Sequence, residues 1–137
     1  THQDMTRFML TLSQAIDLVF YSLKHAKGGE IFVKKAPATK IIDLARAYAE
    51  LKTGEKNYPL EYIGIRAGEK IHEILISEEE MRHVKEEKDH FIIKREAEID
   101  KSFIKKKIDF VEYSSGTVNH LDIKQLKSMM KKLKWTM

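Results

Sequence analysis

No uninterrupted apolar run in this chain exceeds four residues, Leu18 to Tyr21. A helix crossing a bilayer needs roughly 20 apolar residues in succession, so none is expected, and neither is a secretory leader. The segments that read as strands are short and few as well. Strands this short and few cannot build a doubly wound parallel sheet alone. The 137 residues fit one domain, or one plus an appendage. A chain of that size buries roughly 68% of its unfolded surface, enough for a real core. Cysteine is absent, which excludes a disulfide framework, a zinc ribbon and a thiol nucleophile.

Local signals divide the chain into short elements. Thr11 and Gln14 have the spacing of a capping box, in which hydroxyl and amide side chains satisfy each other's backbone N–H groups. Leu12, Ala15, Ile16, Val19, Phe20 and Leu23 follow at helical spacing, which predicts a helix over 12–27 stopped by Gly28-Gly29. Residues 30–34 read as a strand, and Thr39 as the cap of a helix over 40–53 with Tyr48 on its apolar face. Residues 60–65 alternate as a strand does. Residues 70–76 read as a short helix, Ser77 to Glu80 as a second capping box, and 91–93 as a strand. Asp122 caps a last helix whose stripe is Ile123, Leu126, Met130 and Leu133. Short strands alternating with helices predict a small α/β or α+β unit.

The formal net charge of +4 hides larger local terms. Residues 69–100 carry 6 basic and 11 acidic side chains, and residues 122–137 carry five lysines and one aspartate. The basic residues are interleaved with acids and no nucleic-acid-binding motif accompanies them, so mixed, solvated faces are expected rather than a nucleic-acid surface.

Several chemistries are missing. The glycines at 28, 29, 54, 64, 68 and 116 form neither G-x-G-x-x-G nor a P-loop, so no phosphate cradle for a dinucleotide or ATP is expected. Tyr48 and Lys52 have the Tyr-x-x-x-Lys spacing of an acid/base pair, but no cofactor motif precedes them. A core tyrosine beside a surface lysine is the better reading. Glu69 and His72 could offer two metal ligands on a helix. A di-metal bundle needs a second copy, which the chain lacks, so no metal site is expected.

Arg66 and Glu69 stand out more. Arg66 follows the 60–65 run and opens a glycine-containing loop ahead of the 70–76 segment. A guanidinium fork matches pyrophosphate oxygens, and a helix start would add positive field. Glu69 can accept two hydroxyl protons, as from a ribose. On residue chemistry alone, a structural ion pair between the two is the commoner role.

Three segments read together resemble one family. Arg7-Phe8 ahead of the first helix resembles the R-F motif of extended short-chain dehydrogenase/reductases that modify nucleotide sugars. Gly29 to Pro37 is similar to their G-E-I-F-V-x-K-x-P strand and turn, and Ile63 to Glu73 to their I-G-x-R-x-G-E-K-x-H-E segment. Tyr113 to Asp122 has the shape of the tail in UDP-N-acetylglucosamine 4,6-dehydratases, best the form that also epimerises C5. One departure is Ala67, where proline is usual.

The resemblance implies that Arg7 and Arg66 contact a UDP diphosphate and that Glu69 contacts the uridine ribose. It implies a UDP-sugar-binding portion over 1–95. Residues 96–137 read as an arm and amphipathic helix that more commonly pack within the chain; docking on a neighbouring subunit, as a non-catalytic oligomerisation module, is the alternative reading. The family's Rossmann half, with its NAD or NADP and its catalytic Tyr-x-x-x-Lys, precedes the R-F motif. A chain beginning at Thr1 is therefore expected to lie inside a longer protein and to be inactive alone, with no catalytic residue of its own. The expected partners are a UDP-sugar, the Rossmann half and further copies in a homo-oligomer. Nucleic acid and membrane are not expected, and the expected location is cytoplasmic.

Overall fold

The computed structural model describes residues 2–94 and 110–134. Among them are four helices and seven short strands, a mixed α/β arrangement with antiparallel pairing throughout its sheets. The chain forms two compact units, each assembled from separated stretches of sequence. The expected division near residue 95 falls outside the described residues, as do Trp135 and the lysine run 105–107.

The first unit holds Thr1–Met9, Pro37–Glu73 and Ser115–Met137. Strand β1 (Thr6–Phe8) pairs with β3 (Ala38–Lys40), Thr6 opposite Lys40. Helix α2 (Ile41–Thr53) follows β3 directly and ends on Gly54, whose φ of +78° costs a glycine least. Thr39 does not cap this helix. It lies buried in β3, and its hydroxyl donates to the Leu121 carbonyl at 3.3 Å. Helix α4 (Ile123–Lys132) opens with a capping box between Asp122 and Gln125. Leu126 and Met130, one turn apart, pack on Ala47 of α2 with Leu44 and Leu51 around them. All three central side chains are almost wholly buried, and alanine at 47 lets the other helix approach closely. Lys127 and Glu50 close this contact with a 2.8 Å ion pair. The expected stripe of α4 is thus covered by α2, except that Leu133 stays partly exposed. Tyr48 is not a core residue: it is 43% exposed, and the buried positions of α2 are Ala47 and Ala49.

The second unit holds Leu10–Ala36 and Ile74–Ser114. Helix α1 (Leu12–His25) carries the expected Thr11–Gln14 capping box. Strands β2 (Ile31–Lys34), β6 (His90–Ile93) and β5 (Val84–Glu86) form one sheet with β6 central. Strand β4 (Ile74–Ile76) pairs with β7 (Tyr113–Ser114), and the four-residue helix α3 (Glu78–Met81) follows Ser77. The core is Val33, Ile76, Phe91 and Ile93. The Tyr113 hydroxyl accepts from the Ala36 N–H at 2.8 Å and donates to its carbonyl at 3.1 Å. Burial raises the pKa of this phenol, which keeps it a donor. The apolar face predicted for α1 is not buried: Leu12 and Leu23 are each 76% exposed and Phe20 is 67% exposed.

Two expected elements are absent. Residues 60–65 form no strand, and 70–76 form no helix. The second segment runs irregularly to residue 73 and then becomes β4. Its β-branched Ile74 and Ile76 suit a strand, and the partner strand lies far along the chain.

Candidate functional site

Arg7, Arg66 and Glu69 all belong to the first unit. Arg66 and Glu69 bound a tight turn. The Glu69 N–H donates to the Arg66 carbonyl at 3.1 Å, and Gly68 between them has φ +84°. Ala67 has negative φ, since Lys134 is the described non-glycine residue with positive φ. This is a type II turn, which needs glycine at its third position and favours proline at its second. The usual proline of the resembled segment fits that geometry, and Ala67 occupies its place.

The turn aims its own carboxylate. The Arg66 N–H donates to Glu69 Oε2 at 3.0 Å. The expected ion pair between the two side chains does not form among the described residues. The Arg66 guanidinium and Glu69 Oε1 make no hydrogen bond or ion pair there, and both residues are exposed. Arg66 follows no strand and stands at no helix start, so the helix field expected beside it is missing.

Arg7 is more enclosed. Its Nη1 donates to the Thr6 carbonyl at 2.7 Å and the Ile71 carbonyl at 3.3 Å, and its Nε lies 3.3 Å from Glu73 Oε1. The Thr6 N–H also donates to the Ile71 carbonyl, at 2.9 Å. The strand that carries Arg7 is therefore bound to the end of the segment that carries Arg66 and Glu69. No direct bond joins Arg7 to either of them among the described residues.

Beneath Arg7 lies a network that sequence reasoning missed. The Thr6 hydroxyl is 2.8 Å from His72 Nδ1 and 2.7 Å from the Ser115 hydroxyl. Ser115 Oγ accepts the Glu73 N–H at 2.9 Å, and the Ser115 N–H donates to the Glu73 carbonyl at 2.8 Å. The Ser115 carbonyl is itself 2.8 Å from His120 Nε2. The available signal was the His-Glu pair closing the 63–73 segment and the Ser-Ser-Gly turn near the tail.

The metal reading of Glu69 and His72 fails on geometry, because the two share no helix and His72 Nδ1 faces Thr6. No group of three His, Asp or Glu side chains among the described residues could hold a metal ion. An open groove of about 560 Å³ in the first unit is lined by Arg46, Lys56, Tyr58 and Tyr62. Arg7, Arg66 and Glu69 do not line it. No described helix is long and apolar enough to cross a membrane.

A family described as polysaccharide biosynthesis protein matches residues 1–95. The chain is 37% identical over 136 residues to a protein named UDP-glucose 4-epimerase from Rickettsia felis, and 34% identical to one of the same name from Rickettsia rickettsii. Each alignment covers 95% of this chain and 39% of the relative, so the chain spans about two fifths of those proteins. Among solved structures, Pen from Bacillus thuringiensis is similar with a TM-score of 0.83 and 32% identity, over 100% of this chain and 40% of that one.

Proposed function

The chain belongs to the polysaccharide biosynthesis protein family, and on that premise we propose that it is the UDP-sugar-binding portion of a nucleotide-sugar 4,6-dehydratase/epimerase. The observation that carries the reading is the coupling of the Arg66–Glu69 turn to Arg7 through Ile71 and Glu73. Two guanidinium groups and one oriented carboxylate belong to one unit. Guanidinium forks suit diphosphate oxygens, and a carboxylate with a free oxygen suits ribose hydroxyls. In this reading Arg7 and Arg66 hold the diphosphate and Glu69 holds the ribose.

The substrate favoured by the sequence motifs is UDP-N-acetylglucosamine. A second reading, 4-epimerisation of UDP-glucose, is favoured by the name that the Rickettsia relatives carry. Both substrates carry a uridine diphosphate, so the same three side chains would serve either reading. NAD or NADP would supply hydride transfer in the whole enzyme, and no residue of this chain is assigned to it. The chain alone is proposed to be inactive. The whole enzyme is proposed to be a cytoplasmic homo-oligomer, and the exposed apolar face of α1 is consistent with further partners.

The test uses the full-length protein. Arg66→Ala should weaken UDP binding by about 1.5–3 kcal/mol, the scale of a lost charge-assisted contact. Unchanged UDP binding by calorimetry would remove Arg66 from the site. Glu69→Gln should weaken UDP more than 2′-deoxy-UDP, and equal losses would argue against ribose contact. Turnover of UDP-N-acetylglucosamine but not UDP-glucose separates the first reading from the second.

A further inference from the structure

Glu73 closes the segment that carries Arg66 and Glu69, and the reading above gives it no task. We propose that Glu73 is a positioning residue that aims Arg7 at the substrate diphosphate, with Ser115 holding Glu73 in place. The inference rests on the assignment of Arg7 to that diphosphate.

Arg7 offers its donors selectively. Thr6 and Ile71 carbonyls occupy Nη1 and the Glu73 carboxylate faces Nε. Nη2 has no partner among the described residues and is the nitrogen left for a ligand. A long side chain loses rotamer freedom when it grips a ligand, and fixing it beforehand removes that cost from binding. The pair is partly exposed, 27% for Arg7 and 42% for Glu73. Pairs of that kind contribute little to stability, so orientation is the better account of this one.

Glu73 is suited to the role because its backbone is pinned while its head is free to reach. Ser115, fully buried, bonds both the N–H and the carbonyl of Glu73. The Ser115 hydroxyl also donates to the Thr6 carbonyl at 3.2 Å, the oxygen that receives Arg7 Nη1. Arg7, Glu73, Ser115 and Thr6 thus form a closed circuit of contacts. Moving Glu73 would release the guanidinium without disturbing Arg66 or Glu69, whose turn is held by its own bonds.

A double-mutant cycle in the full-length protein tests this, with UDP and uridine titrated by calorimetry. Glu73→Ala should weaken UDP binding about fivefold while uridine, which has no phosphate, changes by about twofold at most. In an Arg7→Ala background the same Glu73→Ala change should alter UDP affinity by about twofold or less. Equal UDP losses in both backgrounds, or an equal loss for uridine, overturns the positioning role and leaves the diphosphate reading intact. Unchanged UDP affinity in Arg7→Ala overturns the diphosphate reading and this inference together. Glu73→Asp, whose shorter side chain should not reach Arg7, carries the same cycle if Glu73→Ala fails to fold.

Discussion

Thr6 and Ser115 lie 109 residues apart in sequence and share a 2.7 Å hydrogen bond between their hydroxyls. Both are essentially closed to solvent, so each must find its partners within the protein. Ser115 satisfies three groups with one oxygen: it meets the Thr6 hydroxyl, donates to the Thr6 carbonyl and accepts the Glu73 N–H. Through Ser115 the strand bearing Arg7 is tied to Glu73, at the end of the segment bearing Arg66 and Glu69.

Ser115→Ala removes that oxygen and leaves the Glu73 N–H unpaired in a half-buried setting. An unmade bond of this kind costs about 1–3 kcal/mol. The denaturation midpoint of the full-length variant should fall accordingly, and an unchanged midpoint would show that solvent replaces the lost partner. Ser115→Thr keeps the hydroxyl but adds a methyl to a fully buried site, so it should also be destabilising.

The turn at Arg66 makes an opposite prediction. Ala67 stands at the second position of a type II turn, and its N–H makes no bond among the described residues. Ala67→Pro should therefore raise stability by about 0.4–1 kcal/mol, chiefly by restricting the unfolded chain, and should tighten UDP binding. Gly68→Ala meets open space but must hold φ +84°, a strain of about 1 kcal/mol for a residue with a Cβ. A melting series in which neither variant moves would show the turn to be uncoupled from folding.

Much of this was legible from local chemistry, and the rest required partners distant in sequence. Thr11–Gln14 and Ser77–Glu80 form the capping boxes their spacing announces, and Asp122 caps the last helix as expected, because a cap needs a partner only three residues along the chain. Strands β1, β3 and β7 span three residues or fewer and exist through pairing, as between Thr6 and Lys40. No period can reveal them. The 70–76 segment reads as a helix by spacing, yet Ile74 takes a strand partner at Ser114. The turn between Arg66 and Glu69 was legible from Gly68, whereas the ion pair expected between their side chains is not formed among the described residues. Glu73 was not legible, because its anchor, Ser115, is 42 residues away.

His90 gives a pH-dependent term. Its ring is buried beside Tyr21, with centroids 4.5 Å apart, and its Nε2 finds no partner among the described residues. Burial lowers its pKa below the ordinary value; Glu87 opposes the shift and Lys34 adds to it. The folded state therefore favours neutral imidazole. This contribution is complete above the unfolded pKa of about 6.5 and is lost as pH falls through the lower folded pKa. Between about pH 7.5 and pH 5 the protein should lose more thermal stability than its His90→Gln variant. Parallel profiles for the two would exclude His90 as the source.

Gly116 presses on the ring of His72. A Cβ at this position would stand 2.8 Å from His72 Cγ and 3.0 Å from Cδ2 and Nδ1. The ring would have to move, and its 2.8 Å contact with the Thr6 hydroxyl would move with it. Gly116→Ala should therefore lower stability by about 1–3 kcal/mol, the usual range for overfilling a packed site. Removing the ring first changes the outcome. In a His72→Ala background the ring that the new methyl would strike is gone, so Gly116→Ala should then cost less, and the two losses should fall short of their sum. Denaturation midpoints of the four proteins measure that coupling. Strictly additive losses would mean that glycine is required at 116 for a reason other than the approach of His72.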